Sequence, residues 1–328
     1  MFTSIELWYQ RRLTTTSRST THGATMKRSM TCSHSQNQRY RWASMLAVMC
    51  ALSVGPSCLS AGTIIRSSSA EPEAKSDPIP AAQTPMIAAG RDHTCAVSPS
   101  RTVKCWGGNK AGQLGDGTTN DRLVATPVAG LDDGIIALSA GAFHTCAVTV
   151  QGAVKCWGEN DSGQLGDGTT INRHVPTQVS GLTSGIVAIA AGGLHTCAVS
   201  AEGSVKCWGS GELGQLGPNT QKAVLVPTQV RPLEEGMQAV STGAMHSCAI
   251  TPIGGVRCWG ANLGGMLGND AFDASAIPVH VPGLRSKVVA MSAGSMHTCA
   301  LTTAGGVTCW GVSGYARPAA FELEGFLH

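Results

Sequence analysis

The sequence predicts an all-β protein: a β-propeller of about five four-stranded blades, each about 51 residues long. Three observations predict it: a motif recurs in tandem from Met86 onward, each unit contains four short strands, and Gly, Asn and Asp clusters separate those strands. Glycine accounts for 41 of 328 residues, far below the one third of a collagen. The 42% apolar content and low net charge argue against general disorder.

The tandem repeat is marked by cysteines at a constant step of 51 residues, as in 146 − 95. The first cysteines of the units are Cys95, Cys146, Cys197, Cys248 and Cys299, and the second ones, each followed by Trp-Gly, are Cys105, Cys156, Cys207, Cys258 and Cys309. The units are 86–136, 137–187, 188–238, 239–289 and 290–328. Unit five lacks the segment that corresponds to 163–166. Five such units either close into a tight ring or form an open arc that needs a partner.

The third unit shows how the two cysteines of a unit are arranged. Residues 196–200 and 204–208 alternate in polarity, and Ala201-Glu202-Gly203 forms a three-residue hairpin loop with Gly in the left-handed position. Pairing outward from this loop sets Cys197 opposite Cys207, because both pairs of numbers sum to 404. Unit one has Arg101 where the other units have Gly, so we expect its turn to be strained or differently shaped.

The first 61 residues predict an export signal with a long n-region. Arg39 and Arg41 precede the apolar run 42–54, and small residues follow as far as Ala61. This run is too short for a comfortable membrane span, and the mature chain is expected to have none. Met26 and Met30 are alternative starts, a lipid anchor at Cys58 is an alternative to free release, and the Ser/Pro/Ala-rich residues 62–85 predict a flexible linker.

Export and cysteine count together predict five disulfides, one within each blade. The chain has 13 cysteines, of which Cys32, Cys50 and Cys58 precede the preferred cleavage site, leaving ten. Facing cysteines on neighbouring strands can be bridged, and an oxidising compartment lets them pair. We therefore expect an exported protein: periplasmic, on the cell surface or extracellular.

The charge distribution argues against a nucleic-acid partner. Residues 1–85 carry nine Lys and Arg against four Asp and Glu, a balance of +5, whereas the remaining fourteen and sixteen give −2. A protein that grips phosphates needs a basic face, which the repeats lack. The histidines before the first cysteines, such as His93, match no zinc spacing, and no G-x-S-x-G, Walker A or H-E-x-x-H motif is present. Residues 209–214 formally match G-x-G-x-x-G but lack the strand–helix–strand context of a dinucleotide site. We expect no metal, no cofactor and no catalytic residue.

A candidate binding rim comes from positions that vary between units. The residue before each repeated histidine is Asp92, Phe143, Leu194, Met245 or Met296. These residues lie in a short loop between two strands, so they should follow one rim of the propeller. An exposed apolar arc would suit a protein partner. The simpler interpretation is that each side chain lies beneath the next blade.

The motif in Gly192–Val199, followed by the motif in Gly152–Gly166, resembles the regulator-of-chromosome-condensation repeat. The resemblance covers all five units and points to the exported, cysteine-rich bacterial type of that family. It implies a β-propeller, usually of seven blades, and a module that binds a protein or a surface ligand rather than an enzyme. Members also include nucleotide-exchange factors for a small GTPase and a secreted inhibitor of β-lactamase, which remain alternative functions.

Overall fold

The computed structural model describes residues 86–312, apart from 99, 132–133, 219, 221, 234–235 and 285, together with the backbone of 321–323. The predicted export signal, the linker and Cys58 lie outside the described residues. Every regular element in the described part is a β-strand. The strands are β1 Met86–Ala89, β2 His93–Val97, β3 Val103–Gly107, β4 Arg122–Pro127, β5 Ile135–Ala140, β6 His144–Thr149, β7 Val154–Gly158, β8 Arg173–Gln178, β9 Ile186–Ala191, β10 His195–Ser200, β11 Val205–Gly209, β12 Val224–Gln229, β13 Ala239–Thr242, β14 His246–Ile250, β15 Val256–Gly260, β16 Ser275–His280, β17 Val288–Ala293, β18 His297–Thr302, β19 Val307–Gly311 and β20 Phe321–Leu323.

Five antiparallel four-stranded sheets follow one another along the chain, and each contains four consecutive strands in sequence order. The first strands of neighbouring blades, such as β5 and β9, contact each other, which places them on the inside of the arrangement. They consist of small and apolar residues, as in Ile186–Ala191, which permits this close approach. The predicted all-β propeller of five four-stranded blades is therefore confirmed.

Each blade is clasped by a disulfide between its two middle strands. The hairpins have the predicted register, with Cys197 opposite Cys207 and the equivalent pairs in the other four blades. Disulfides join Cys95–Cys105, Cys146–Cys156, Cys197–Cys207, Cys248–Cys258 and Cys299–Cys309, with Cα–Cα distances of 4.0–4.1 Å. Such short distances fit facing residues of a non-hydrogen-bonded pair. Arg101 takes the same left-handed turn as the glycines, with a φ of 60°.

The hydrophobic core lies between blades. At the first junction, Cys95, Cys105 and Leu114 of blade one form one buried cluster with Ala147 and Trp157 of blade two. Equivalent clusters join blades two and three, three and four, and four and five. Blades two, three and four therefore each bury one face against the blade before and the other face against the blade after.

Blades one and five do not form this junction with each other in the described part of the chain. Trp157, Trp208, Trp259 and Trp310 are at most 1% exposed, whereas Trp106 of blade one is only half-buried. Cys299 and Cys309 of blade five are also only half-buried, unlike their equivalents in the other blades. The two ends of the array thus present faces that are covered everywhere else.

Candidate functional site

At each junction one buried backbone carbonyl accepts side-chain hydrogen bonds from the following blade. At the first junction the carbonyl oxygen of Gln113 accepts a hydrogen bond from Trp157 Nε1 at 2.9 Å and another from Thr145 Oγ1 at 2.9 Å. At the next two, the carbonyls of Gln164 and Gln215 receive the same pair of donors from the following blade. A carbonyl oxygen has two lone pairs, so both are satisfied without water.

The histidines complete this network from the other side. His93 Nε2 lies 2.9 Å from Thr145 Oγ1, and His144, His195 and His246 contact the matching hydroxyl of the following blade at 2.8–2.9 Å. The hydroxyls of Thr145, Thr196 and Ser247 each donate their proton to a carbonyl, so His93, His144 and His195 must donate from Nε2. The proton therefore resides on Nε2, and Nδ1 is an acceptor.

Burial keeps these histidines neutral. The Nδ1 atoms of His93, His144, His195 and His246 are buried without a hydrogen-bond partner. The ring of His93 packs on Gly90, where an added Cβ would lie 2.6 Å from Nδ1. Desolvation by burial lowers the pKa of His93 and His246 to about 4 and that of His144 and His195 to about 3, with neighbouring histidines adding repulsion for the last three. Neutral, enclosed imidazoles of this kind serve as connectors between blades.

The turn that presents the carbonyl is shaped by an asparagine. Asn160 Oδ1 accepts from Leu165 N at 2.9 Å, while its Nδ2 donates to Asp167 Oδ1 at 3.1 Å. Burial alone would raise the pKa of Asp167, but hydrogen bonds from Thr169 and Arg173 lower it overall. In blade three Gly211 replaces the asparagine, and an added Cβ there would lie 2.1 Å from the carbonyl oxygen of Thr220. The turn is kept because the loop fills the space of the missing side chain.

The candidate binding rim lies on loops that the backbone holds firmly. The carbonyls of Phe143, Leu194, Met245 and Met296 accept bonds from the backbone N–H groups of 159, 210, 261 and 312 at 2.8–2.9 Å. All four side chains are half-buried. The guanidinium of the exposed Arg91 lies over the Phe143 ring, with Cζ 5.1 Å from the ring centroid. The rim is thus a partly accessible apolar row that begins beside a cation, and its binding role stays a prediction.

The inside of the arrangement, where the first strands of the blades lie, offers no ionisable side chain. The first strands of the five blades consist of Met, Ile, Ala, Leu, Ser, Val and Thr, without a titratable side chain. Among the described residues, no three His, Cys, Asp or Glu side chains are placed to share a metal ion. Within the same residues no helix is long and apolar enough to cross a membrane. The open arc left as an alternative in the sequence analysis implied uncovered ends, but the sequence did not show which residues form them, although the missing segment of unit five was a signal for one end.

The geometry defines a β-propeller held together by repeat-specific junctions, and family comparison agrees. The model for the regulator of chromosome condensation (RCC1) repeat matches residues 103–148, 151–199, 202–250 and 254–301. A second model of the same repeat matches 87–113, 135–164, 186–215 and 288–316. The chain belongs to the RCC1 repeat family.

The chain is similar to known proteins in sequence and, for one solved structure, in fold. The chain is 34% identical to the ultraviolet-B receptor UVR8 of Arabidopsis thaliana over 70% of its own length and 53% of that protein, so it spans about half of this relative. It is 32% identical to the human E3 ubiquitin-protein ligase HERC2, over 66% of its length and 5% of that protein. Human WBSCR16 superposes with a TM-score of 0.61 at 25% identity, covering 72% of this chain and 64% of that one.

Removing one junction hydroxyl should weaken the whole array. Thr196→Val deprives His144 Nε2 of its acceptor and the Gln164 carbonyl of one donor, at a position buried between blades. We expect the free energy of unfolding, measured in urea, to fall by roughly 2–4 kcal/mol. Thr94→Val is the matched control on blade one, where no described residue forms this contact, and should cost less than about 0.5 kcal/mol. Equal losses from both variants would contradict the assigned network.

The histidines should make stability depend on pH between 7 and 5. Their folded-state pKa values of about 3 to 4 lie below the ordinary 6.5, so the unfolded chain takes up protons first as pH falls. Stability is full above about pH 6.5, and at pH 5 each histidine should cost roughly 2 kcal/mol. Urea unfolding at several pH values measures this. His144→Gln should reduce the slope by about a quarter, and an unchanged slope would count against the assignment.

Proposed function

We propose that the propeller is an exported, non-enzymatic module that binds a protein through the candidate binding rim. The observation that carries the proposal is the row of half-buried apolar side chains on one edge, repeated once per blade from Phe143 to Met296. Its side chains differ between blades, whereas the junction residues recur. A recognition surface requires side chains that differ from blade to blade, and a constant scaffold requires junction residues that repeat; the rim and the junctions meet these two requirements.

The enclosed histidines support the non-enzymatic part of the proposal. A general base must reach a substrate, and it works best with a pKa near the operating pH. His144 and His195 are fully buried, already hydrogen-bonded at Nε2 and neutral, with pKa values of about 3. Their Nε2 hydrogen bonds connect one blade to the next within the fold.

The disulfides support the proposal of export, within the exported, cysteine-rich type of the family. Disulfides persist in oxidising compartments and are rare in the cytosol. All ten cysteines of the described residues are paired. This favours an exported binding module over the alternative of an intracellular nucleotide-exchange regulator. A secreted enzyme inhibitor remains compatible with the same surface, since it too is a protein-binding function.

Thiol quantification tests export directly. Protein isolated from the native cells under alkylating conditions should show none of the ten described cysteines as free thiols, and reductant should release all ten. The physical reason is that a reducing cytosol would keep these thiols free. About ten free thiols before reduction would contradict export.

Rim substitutions test the binding role. The wild-type chain, immobilised in its oxidised form, should retain a specific protein from the envelope or culture fluid of the native cells. Leu194→Asp with Met245→Asp should reduce that retention at least tenfold, since apolar anchors dominate such interfaces. The matched control is Ile253→Asp with Val150→Asp, at apolar side chains that are 78% and 45% exposed on hairpin turns away from the rim. Loss of binding in the control alone would refute the assignment to the rim.

A further inference from the structure

The outward face of blade one is the surface that every other blade buries. Thr94 and Trp106 form this first-blade face, because their equivalents are buried in each of the other four blades, and Ile87 and Leu123 lie beside them. Ile87 is 69% exposed and Leu123 is 98% exposed, and Trp106 is half-buried although its four equivalents are covered. Within the described part of the chain, neither the Trp106 indole N–H nor the Thr94 hydroxyl has a hydrogen-bond partner. The face is therefore one half of a junction whose other half is absent.

The other junctions show what this half accepts. At blade three the face binds three consecutive residues of blade two: the carbonyl of Gln164, the side chain of Leu165 and the Cα of Gly166. The glycine lies flat on the indole, since a Cβ there would be 2.6 Å from Trp208 Nε1. At blade five the same place is taken by Met266, Leu267 and Gly268. The first residue contributes only its carbonyl, so the recognised sequence is any residue followed by Leu-Gly.

Among the described residues, no turn of this kind is left to fill the first-blade face. The four described turns, which end at Gly115, Gly166, Gly217 and Gly268, are each engaged by the following blade of the same chain. Unit five lacks the corresponding Gly-Gln-Leu-Gly segment. A second copy of this chain would have its four turns occupied in the same way.

We propose that the first-blade face binds a turn of a different polypeptide, with the sequence x-Leu-Gly and a free carbonyl on x. The interaction continues an interface that the chain forms four times internally, with an apolar surround and a carbonyl that accepts two donors at the first three junctions and the Trp310 indole at the fourth. The partner is thus a protein that presents such a turn, as a further repeat of this type would. The site is separate from the candidate binding rim, and substitutions there leave it intact.

A synthetic peptide tests the proposal against the full oxidised chain. Residues 158–173 form a suitable probe, because Asn160, Asp167 and Arg173 supply the hydrogen bonds that shape the turn. Saturable binding should shift Trp106 emission to the blue and protect it from acrylamide, with Trp106→Phe identifying that component of the signal. Calorimetry should show Thr94→Val binding about tenfold more weakly, the loss of one hydrogen bond to a carbonyl. Thr303→Val, exposed on the hairpin of blade five, should bind like the wild type.

Several results would overturn the proposal. The peptide with Leu165→Asp should not bind, so equal binding of both peptides, or none by either at millimolar concentration, refutes it. Shielding of Trp106 from acrylamide in dilute protein would mean that the chain covers its own face. Shielding that grows with protein concentration, together with dimers in sedimentation, would identify a second copy as the occupant. Any of these outcomes is distinguishable from failure of the rim, whose variants leave Thr94 and Trp106 unchanged.

Discussion

The structure depends on one backbone carbonyl per junction, buried between two blades and bonded by side chains of the next blade, two at each of the first three junctions and Trp310 at the fourth. Gln164 shows the pattern: its oxygen receives Trp208 and Thr196 from the next blade, and the same threonine accepts from His144. Inside an apolar junction an unmatched polar group is costly, so these contacts fix how far and at what angle one blade stands from the next. The apolar cluster supplies most of the stabilisation, and the hydrogen bonds supply the geometry.

This constraint explains the repeated residues. Glycine precedes the histidine by three positions because the imidazole packs on its Cα, as at Gly192 and His195. Small polar hydroxyls follow the histidines because they must accept one bond and donate another. Tryptophan follows the second cysteine because its indole must reach the carbonyl of the preceding blade. The disulfides hold each hairpin in register but do not connect blades, so blade-to-blade order comes from the noncovalent network.

The same logic separates scaffold from recognition. Positions that recur in all blades are used in the junctions, whereas positions that differ, such as Phe143 and Met245, lie at the rim, outside the buried junction clusters. The outer strands carry prolines at Pro176, Pro227 and Pro278, which remove a donor from an exposed sheet edge and discourage strand addition there. Binding is therefore directed to the rim and to the end faces.

The sequence by itself determined the repeat, the strands and the pairing within each blade. The register of Cys197 with Cys207 follows from the three-residue loop, because hairpin geometry is local and a single glycine fixes it. Only the tertiary structure decided how blades meet. The carbonyl of Gln113 binds Thr145 and Trp157, which lie 32 and 44 positions after Gln113 in the chain. No local sequence pattern specifies such contacts. Whether the blades close into a ring is decided in the same way. Thr94 and Trp106 have the same sequence context as their covered equivalents. They are open to solvent only because no neighbouring blade covers them among the described residues.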